Sequence, residues 1–290
     1  MPRAITRFAK VKIPITKEVQ FCTTSAIAKV RRQIRANGSQ SRRLVFLLLS
    51  GSFNPVHQQH VQLLSAAKKH LELRGMNVVG GFIAPSSEDY VRQKLGGEAL
   101  TLVQRRRLCN LAVKNLEWVS ICSKGEVSSK WACRCVRHEL ECSCADVLRR
   151  RPLLGVEIMG SDAFVRVFSK ASECKRKPAK SARQERVICC FIRPKADTSP
   201  EEAYITQVLG PALAEMAVEV IFIRPGEGWR HKAVSSTAIR ELISAGNWDA
   251  LRSNRWLPAP VLDALKSMVL DSLKTSSGLC RGFLRGSSGE

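Results

Sequence analysis

One segment near residue 50 constrains the fold more than any other part of the chain. The apolar run 44–49 (Leu-Val-Phe-Leu-Leu-Leu) is followed by Gly51 and then by the segment 54–60 (Asn-Pro-Val-His-Gln-Gln-His). A continuous apolar run bounded by glycine is typical of a strand buried on both faces. Gly51 allows a sharp turn and the close approach of a ligand. Asn54 is a good N-cap and Pro55 suits the first helical position, so the sequence predicts a strand, a tight turn and a helix.

The start of this predicted helix carries two of the five histidines in the chain. His57 and His60 are three residues apart, so both project from the same side of the first turn. Unpaired amides and the helix dipole attract anions at a helix N-terminus, and two imidazoles add donors. We therefore predict a phosphate site here. The alternative is a strand–turn–helix unit with incidental surface histidines.

Beyond residue 44 the hydrophobic pattern alternates between strands and helices. This alternation predicts an α/β fold, a Rossmann-like, doubly wound parallel sheet with helices on both faces, in a single domain. Ligands of such sheets bind beyond the carboxyl ends of the strands. The predicted strands are 44–49, 78–84, 119–122, 153–159, 187–192 and 218–223, and the main predicted helices are 57–74, 100–116, 128–148, 236–245 and 260–273.

The charge pattern sets the expected domain limits. Residues 1–43 carry eleven Lys or Arg and a single acid, Glu18, and are predicted to form a basic N-terminal extension. A presequence or a nuclear signal are the other interpretations of this arm. Residues 44–273 are predicted to form the domain, and the Ser/Gly-rich residues 274–290 a flexible C-terminal tail.

Composition indicates a soluble protein of a reducing compartment. The hydrophobic fraction is 44% of 290 residues, which is enough for a core. No apolar run reaches the ~18–20 residues that span a bilayer. Eleven cysteines without a secretory signal suggest free thiols. We expect a cytoplasmic protein, and the basic arm leaves the nucleus and the mitochondrion open.

The net charge of +22 requires an explanation. Nucleic acid is the first candidate, but no nucleic-acid-binding motif is visible and only two tyrosines are available for stacking. An enzyme that handles nucleoside phosphates would also gain from a positive field. Nucleic acid is therefore an unlikely partner.

Two further segments have the chemistry of nucleotide sites. Ser235, Ser236 and Thr237 precede a predicted helix, and Arg240 follows one turn later, so hydroxyls and a guanidinium fork can hold one phosphate. A plain N-cap would explain only one of these hydroxyls. The Gly-Ser-Asp sequence at 160–162 ends a predicted strand, where a carboxylate can bind a ribose diol; an ordinary N-cap is the alternative.

A cysteine-rich segment raises the question of zinc. Cys133, Cys135, His138, Cys142 and Cys144 could in principle supply ligands. The segment reads as one helix, in which cysteines at i and i+2 point apart by ~200°. We therefore expect no metal site there, and a zinc assay on protein purified without chelator checks this.

Two motifs resemble those of the nucleotidylyltransferase superfamily. Residues 51–60 resemble its G-x-F-x-P-x-H-x-x-H signature, and residues 234–240 resemble its I-S-S-T-x-x-R motif. The Gly-Ser-Asp at 160–162 is similar to the G-x-D of its nicotinamide-nucleotide adenylyltransferase branch. Trp118, in the sequence Glu-Trp-Val, is similar to a K-W-V tryptophan that stacks on the nicotinamide ring there.

The chain departs from that branch at two places. The lysine-rich Y-K-K-K segment is replaced by residues 90–95, which are predicted to lie in a loop, so either Arg92 or Lys94 supplies the cation. The second ring-stacking aromatic is missing after Asp162, so either Phe168 replaces it or the nicotinamide ring is held from one side only.

The resemblance implies adenylyl transfer from ATP to nicotinamide mononucleotide, and to its nicotinate analogue, giving NAD and pyrophosphate. Mg²⁺ would enter with ATP, and no protein metal site is assigned. The implied catalytic residues are His57, His60, Arg240 and Lys94. The implied ATP-binding residues are Gly51, Ser52, Phe53, His60, Gly160, Asp162, Ser235, Ser236, Thr237 and Arg240. The implied mononucleotide-binding residues are Ser52, Phe53, Arg92, Lys94, Trp118 and Phe168.

Two alternatives to this function remain. One is another nucleotidylyltransferase of the same fold, for example one acting on phosphopantetheine, against which Trp118 argues. The other is a non-catalytic basic binding module, against which His57, His60 and Arg240 argue. A homo-oligomer is compatible with either reading.

Overall fold

A computed structural model describes residues 21–36, 42–125, 128–149, 151–173, 186–192, 199–224 and 234–283. Within these ranges one parallel sheet forms the centre of the molecule. Its strands are β1 (Leu44–Gly51), β2 (Asn77–Pro85), β3 (Val119–Ile121), β4 (Leu153–Gly160), β5 (Arg186–Phe191) and β6 (Val218–Ile223). Their order is β3-β2-β1-β4-β5-β6, with every neighbouring pair parallel. The predicted doubly wound α/β fold is confirmed.

Helices occupy the connections between the strands. They are α1 (Thr24–Ala36), α2 (Gln58–Leu73), α3 (Glu88–Leu95), α4 (Leu102–Ala112), α5 (Ser129–Ser143), α6 (Ala145–Leu148), α7 (Ser161–Glu173), α8 (Ser199–Tyr204), α9 (Gly210–Glu215), α10 (Ser236–Ser244), α11 (Trp248–Ser253) and α12 (Ala259–Phe283). A 3₁₀ turn covers Gly96–Glu98 and a π turn covers Ile205–Leu209. None of the described helices combines the length and apolar character needed to span a membrane.

The side chains of β1 alternate between two cores. Val45, Leu47 and Leu49 pack with buried residues of α2, α4, α10 and α12 on one face of the sheet. Leu44, Phe46 and Leu48 pack with α1 and α5 on the other face. Because both faces are covered, the strand is apolar at every position from 44 to 49, which explains the run seen in the sequence.

The structure corrects several predicted element limits. The helix predicted over 100–116 is shorter (Leu102–Ala112), because Thr101 accepts a hydrogen bond from the Gln104 amide and fixes its start. The single helix predicted over 128–148 is divided at Cys144 into α5 and α6. The last helix continues past residue 273 to Phe283, so the beginning of the expected tail is helical. Residues 284–290 of that tail lie outside the described part.

The domain begins earlier than residue 44. Helix α1 lies inside the segment predicted to be an extension, yet Ala26, Val30 and Ile34 are buried in the core it shares with α5. The backbone amides of Phe21 and Cys22 donate to the Glu139 carboxylate of α5, at 2.9 and 2.7 Å. The apolar residues at i, i+4 and i+8, rather than the basic residues, determine how α1 packs. Residues 1–20 lie outside the described part.

We expect Ile34→Ala to lower the free energy of unfolding by about 2–4 kcal/mol, because it removes a buried side chain from a packed core. Ile34 is 1% exposed. Arg35→Ala is the matched control on the exposed side of α1 and should change stability by less than about 0.5 kcal/mol. Urea unfolding of both variants measures this. Equal stabilities would mean that α1 is a detachable extension after all.

Candidate active site

The turn after β1 brings backbone groups to the carboxyl edge of the sheet. Phe53 has a φ of 46°, in a region that non-glycine residues rarely adopt. Its ring is buried and meets the His60 ring edge-on, with the centroids 5.0 Å apart. A Cβ on Gly51 would lie 3.3 Å from the Phe53 ring. Gly51 is therefore needed for the space beside this ring, and the buried ring fixes the course of the turn.

The prediction that Asn54 caps the helix and Pro55 opens it was wrong. Helix α2 starts at Gln58, with His57 as the N-cap, and the Asn54–Pro55 peptide bond is cis. The Asn54 amide is used elsewhere. It donates to the Glu98 carbonyl at 2.9 Å and accepts from the Leu100 amide at 2.8 Å. Asn54 thus ties the turn to a distant loop, which its local sequence could not reveal.

His57 and His60 lie together, as predicted. Their rings are stacked with centroids 3.7 Å apart. The backbone N–H of His57 donates to Nδ1 of His60 at 3.2 Å. Because Nδ1 is an acceptor in this bond, a neutral His60 carries its proton on Nε2 and can donate from that atom.

A cavity of about 690 Å³ lies at the carboxyl ends of β1, β4 and β5. This is where ligands bind in doubly wound sheets. Of the residues predicted from sequence, its lining contains Gly51, Ser52, His57, His60, Lys94, Gly160, Asp162, Ser235 and Ser236. Both predicted phosphate segments and the Gly-Ser-Asp segment therefore meet at one site.

The second motif is hydrogen-bonded to the first. Ser235 is the N-cap of α10 and accepts from the Ala238 amide at 3.1 Å. The Ser236 hydroxyl donates to the Pro55 carbonyl at 3.0 Å. Arg240 donates through Nη1 to the Asn54 carbonyl at 3.0 Å. Segments more than 180 residues apart in sequence are thus joined directly.

The Arg240 guanidinium has two further contacts. Nε donates to the Glu98 carboxylate at 2.8 Å, and Nη2 lies 3.5 Å from the Thr237 hydroxyl. Neither Arg240 nor Thr237 lines the cavity in this structure. Arg240 therefore holds the turn from behind, and the prediction that both residues bind phosphate stays a prediction.

The structure distinguishes the two candidate cations of residues 90–95. That segment was expected to be a loop, but it lies in helix α3, which begins at Glu88. Arg92 projects to solvent and pairs with Glu88 at 2.7 Å, whereas Lys94 lines the cavity. Partial burial, and then the positive charges of Arg166 and Arg240, lower the pKa of Lys94. Lys94 is the cation that faces the site.

Trp118 does not reach the cavity. It directly precedes β3, whose first residue pairs with Gly81 in the middle of β2, and it is not among the residues that line the cavity. Its ring covers Gly81, where a Cβ would come within 2.5 Å of a ring atom, and the Lys68 ammonium lies 5.6 Å from the ring centroid. The predicted role of Trp118 in stacking on the pyridine ring does not fit this position.

Phe168 is a core residue, not part of the cavity lining. It is 2% exposed and packs on Phe164, with ring centroids 4.5 Å apart. The Arg186 guanidinium lies over it at 5.2 Å and forms a two-bond ion pair with the buried Glu157, at 2.5 and 2.8 Å. Phe168 therefore supports Arg186, which does line the cavity.

Sequence reasoning missed Arg105, which is fully buried in α4. Its Nη1 donates to the carbonyls of Ser52 (3.0 Å) and Ser86 (2.8 Å), and its Nε donates to the Leu100 carbonyl (3.1 Å). Burial lowers the pKa of this guanidinium, with smaller opposing effects from Cys109 and Glu88. Arg105 fixes the loops after β1 and β2 relative to each other. Three consecutive arginines, residues 105–107, lie in this helix, and the local sequence does not indicate which of them is buried.

Other lining residues were also missed: Ser86, Tyr90, Ser128, Ser129, Lys130, Arg166 and Arg186. Ser128 is the N-cap of α5 and accepts from the Trp131 amide at 3.2 Å. A serine pair before a helix is a recognisable N-cap signal. Its proximity to the cavity depends on the sheet order, which the local sequence does not specify.

The cysteine-rich segment does not assemble a metal site among the residues that the structure describes. Cys133, Cys135 and Cys144 are buried, while Cys142 is exposed and lies 3.9 Å from Nε2 of His138. Burial raises the pKa of the Cys133 thiol. The buried members of the segment pack between α1, α5 and the sheet.

The chain matches the model of a known protein family. The model of the cytidylyltransferase-like family matches residues 48–242, about two thirds of the chain. The chain belongs to this family. The matched region begins within β1 and ends within α10, so both hydrogen-bonded motifs of the cytidylyltransferase-like domain lie inside it.

Several curated proteins are similar over shorter stretches. The nicotinamide/nicotinic acid mononucleotide adenylyltransferase 2 of Xenopus tropicalis is 36% identical over 78 residues, which are 27% of this chain and 24% of that protein. The corresponding Oryza sativa enzyme is 34% identical over 80 residues, 28% of this chain and 30% of that protein. The nicotinamide/nicotinic acid mononucleotide adenylyltransferase 1 of Bos taurus is 30% identical over 116 residues, which are 38% of this chain and 40% of that protein. Each match thus spans less than half of the relative.

Solved structures are also similar to the cytidylyltransferase-like chain. One of them is a Plasmodium falciparum nicotinic acid mononucleotide adenylyltransferase complexed with APC, 11% identical, with a TM-score of 0.43. The superposition covers 78% of this chain and 96% of that one.

We expect Arg105→Met to lower the free energy of unfolding by about 3 kcal/mol, because it leaves buried carbonyls at Ser52 and Ser86 without a donor. Arg107→Met, on the exposed face of the same helix, is the control with the same change in charge and should be nearly neutral. Urea unfolding measures both. An Arg105 variant as stable as the Arg107 variant would contradict the bracing role.

Proposed function

We propose that the chain transfers the adenylyl group of ATP to nicotinamide or nicotinate mononucleotide. The products are the dinucleotide and pyrophosphate. The observation that carries this proposal is the meeting of both motifs at one cavity, beyond the carboxyl ends of parallel strands. The names of the similar proteins support this choice of acceptor.

The proposed reaction is an in-line displacement at phosphorus. An oxygen of the mononucleotide 5′-phosphate attacks the α-phosphorus of ATP, and the bond from that phosphorus to the bridging β-oxygen breaks. No side-chain nucleophile is required. Catalysis then consists of positioning the two nucleotides and stabilising the charge that develops on the phosphate oxygens.

The first turn of α2 supplies donors for this charge. His57 and His60 line the cavity, and the acceptor role of Nδ1 leaves the Nε2 proton of His60 for a phosphate oxygen. The N-terminus of this 16-residue helix adds backbone dipoles that favour an anion at the same place.

The other phosphates of ATP would be held by the N-terminus of α10 and by Lys94. Ser235 and Ser236 line the cavity at that helix start, and Lys94 faces it from α3. Gly160 and Asp162, at the start of α7, would contact the adenosine side.

Mg²⁺ is proposed as part of the MgATP substrate. Asp162 is the one carboxylate among the described lining residues, which is too few donors for a site built from protein alone. Mg²⁺ commonly binds through one or two carboxylates and substrate phosphates. Asp162 could serve as that carboxylate, and the ion would neutralise charge on the leaving pyrophosphate.

The acceptor would lie near the start of α5. Ser128, Ser129 and Lys130 line the cavity, and the half-buried Trp131 follows immediately in the first helical turn. Trp118 lies outside the cavity lining, with its ring over Gly81. We therefore assign the contact with the pyridine ring to Trp131, because stacking of a cationic ring on indole is favourable.

We expect His60→Ala to lower kcat/KM by about 100-fold or more, the usual effect of removing one donor to developing charge. The assay supplies MgATP with nicotinamide or nicotinate mononucleotide and follows the dinucleotide by chromatography. His138→Ala, at an exposed histidine on α5, is the control and should retain full activity.

Absence of any dinucleotide with the unaltered chain would refute the proposed function. Phosphopantetheine should be assayed in parallel, because transfer to it alone would place the chain in another branch of the family.

The assignment of the pyridine contact can be tested with two tryptophans. We expect Trp131→Ala to raise KM for both mononucleotides by about 10-fold, since a stacked cationic ring is worth about 1–2 kcal/mol. Trp118→Ala should leave KM unchanged and lower stability only. Steady-state kinetics with saturating MgATP, together with urea unfolding, separate the two effects. The reverse pattern would restore Trp118 as the ring-binding residue.

A further inference from the structure

The cavity lining contains more cationic side chains than the sequence motifs predicted. Its described lining holds the cations Lys94, Lys130, Arg166 and Arg186 and the single carboxylate Asp162. Arg186 is already paired with Glu157, which lies behind it in β4. The remaining cations still outnumber the carboxylate, so the cavity is suited to an anionic ligand.

Arg166 is the member of this group that no motif includes. It lies in α7, four residues after Asp162 and therefore on the same face of the helix, and its side chain is exposed. Helix α7 leaves the carboxyl end of β4, whereas His57 and His60 belong to the helix that leaves the adjacent β1. Arg166 therefore faces the cavity from a different side.

Two cations of the cavity lining, Lys94 and Arg166, come from separate helices, and Arg240 lies outside the lining. Lys94 comes from α3, Arg166 from α7 and Arg240 from α10. The pKa of Lys94 is lowered mainly by burial, and further by the charges of both arginines, which means that both are within electrostatic range of its ammonium. The charge of Arg240 is already compensated by Glu98, whereas bringing Lys94 and Arg166 together is unfavourable unless an anion binds between them.

We propose that Arg166 binds a phosphate group of a nucleotide in the cavity and forms, with Lys94, a clamp around it. That the ligand is a nucleotide rests on the proposed function. The phosphate can come from the polyphosphate of ATP or from the 5′-phosphate of the acceptor. A guanidinium suits either source, because its planar fork can donate two parallel hydrogen bonds to phosphate oxygens.

The first test measures binding without turnover. Calorimetric titration with inorganic pyrophosphate and with each mononucleotide is carried out on the unaltered chain, Arg166→Gln and Arg166→Lys. We expect Arg166→Gln to raise the Kd of at least one of these ligands by about 10-fold, and Arg166→Lys to recover part of the loss. Arg252→Gln, at an exposed arginine of α11 away from the cavity, is the control and should bind within about twofold of the unaltered chain.

Kinetics then identify the phosphate. A rise in the KM for MgATP alone assigns Arg166 to the polyphosphate, and an equal rise in KM for the nicotinamide and nicotinate mononucleotides assigns it to the acceptor phosphate. Either result supports the clamp. A rise confined to nicotinate mononucleotide would overturn it, because the base carboxylate would then be the ligand. Unchanged Kd and KM in Arg166→Gln would overturn it as well.

The clamp and the proposed function can fail separately. If the unaltered chain forms no dinucleotide but binds pyrophosphate in an Arg166-dependent manner, the function is wrong and the clamp stands. If dinucleotide forms at the same rate and affinity in Arg166→Gln, the function stands and the clamp is wrong. Because Arg166 is exposed, unfolding curves of the variants should coincide with that of the unaltered chain.

Discussion

The site depends on hydrogen bonds from α10 to the turn after β1. Ser236 and Arg240 donate to the carbonyls of Pro55 and Asn54, and Arg105 donates from the other side to the carbonyl of Ser52. The carbonyl oxygens of the turn are thus occupied by donors that belong to other elements. The negative ends of the peptide dipoles are compensated, while the start of α2 keeps its positive end at the cavity. This arrangement prepares the turn for an anion before any ligand arrives.

The sheet order explains why the groups around the cavity come from distant parts of the chain. β1 lies between β2 and β4, so successive connections leave it in opposite directions. Helix α2 packs on one face of the sheet, and the Phe164 side of α7 packs in a separate core with β5. A crevice forms between helices that diverge in this way, at the carboxyl ends of the strands. This topology places His57 and His60 on one side of the crevice and Asp162 and Arg166 on the other.

Strands, helices and the spacing of residues within one turn could be predicted from the sequence, because they depend on local pattern. Features that depend on contacts between distant segments could not. The run 44–49 specified a strand buried on both faces, and the spacing of His57 and His60 placed them together. The start of α2 was misplaced because Asn54 bonds to Glu98 and Leu100 instead of capping its own helix. The position of Trp118 follows from the packing of its ring on Gly81 and against the core, which its local sequence does not reveal.

Arg240 supports the turn, and its predicted contact with a phosphate would require one of its present bonds to be exchanged. One nitrogen of its fork is held by the Asn54 carbonyl, and this bond fixes the side chain relative to the turn. Nε donates to the carboxylate of Glu98, whose side chain is 58% exposed. A phosphate oxygen, like this carboxylate, can accept a charge-assisted hydrogen bond from a guanidinium. An exposed ion pair contributes little to stability, so exchange of this carboxylate for a phosphate costs little. The bond to Asn54 can persist through that exchange, which would allow Arg240 to bind substrate without releasing the turn that positions His57 and His60.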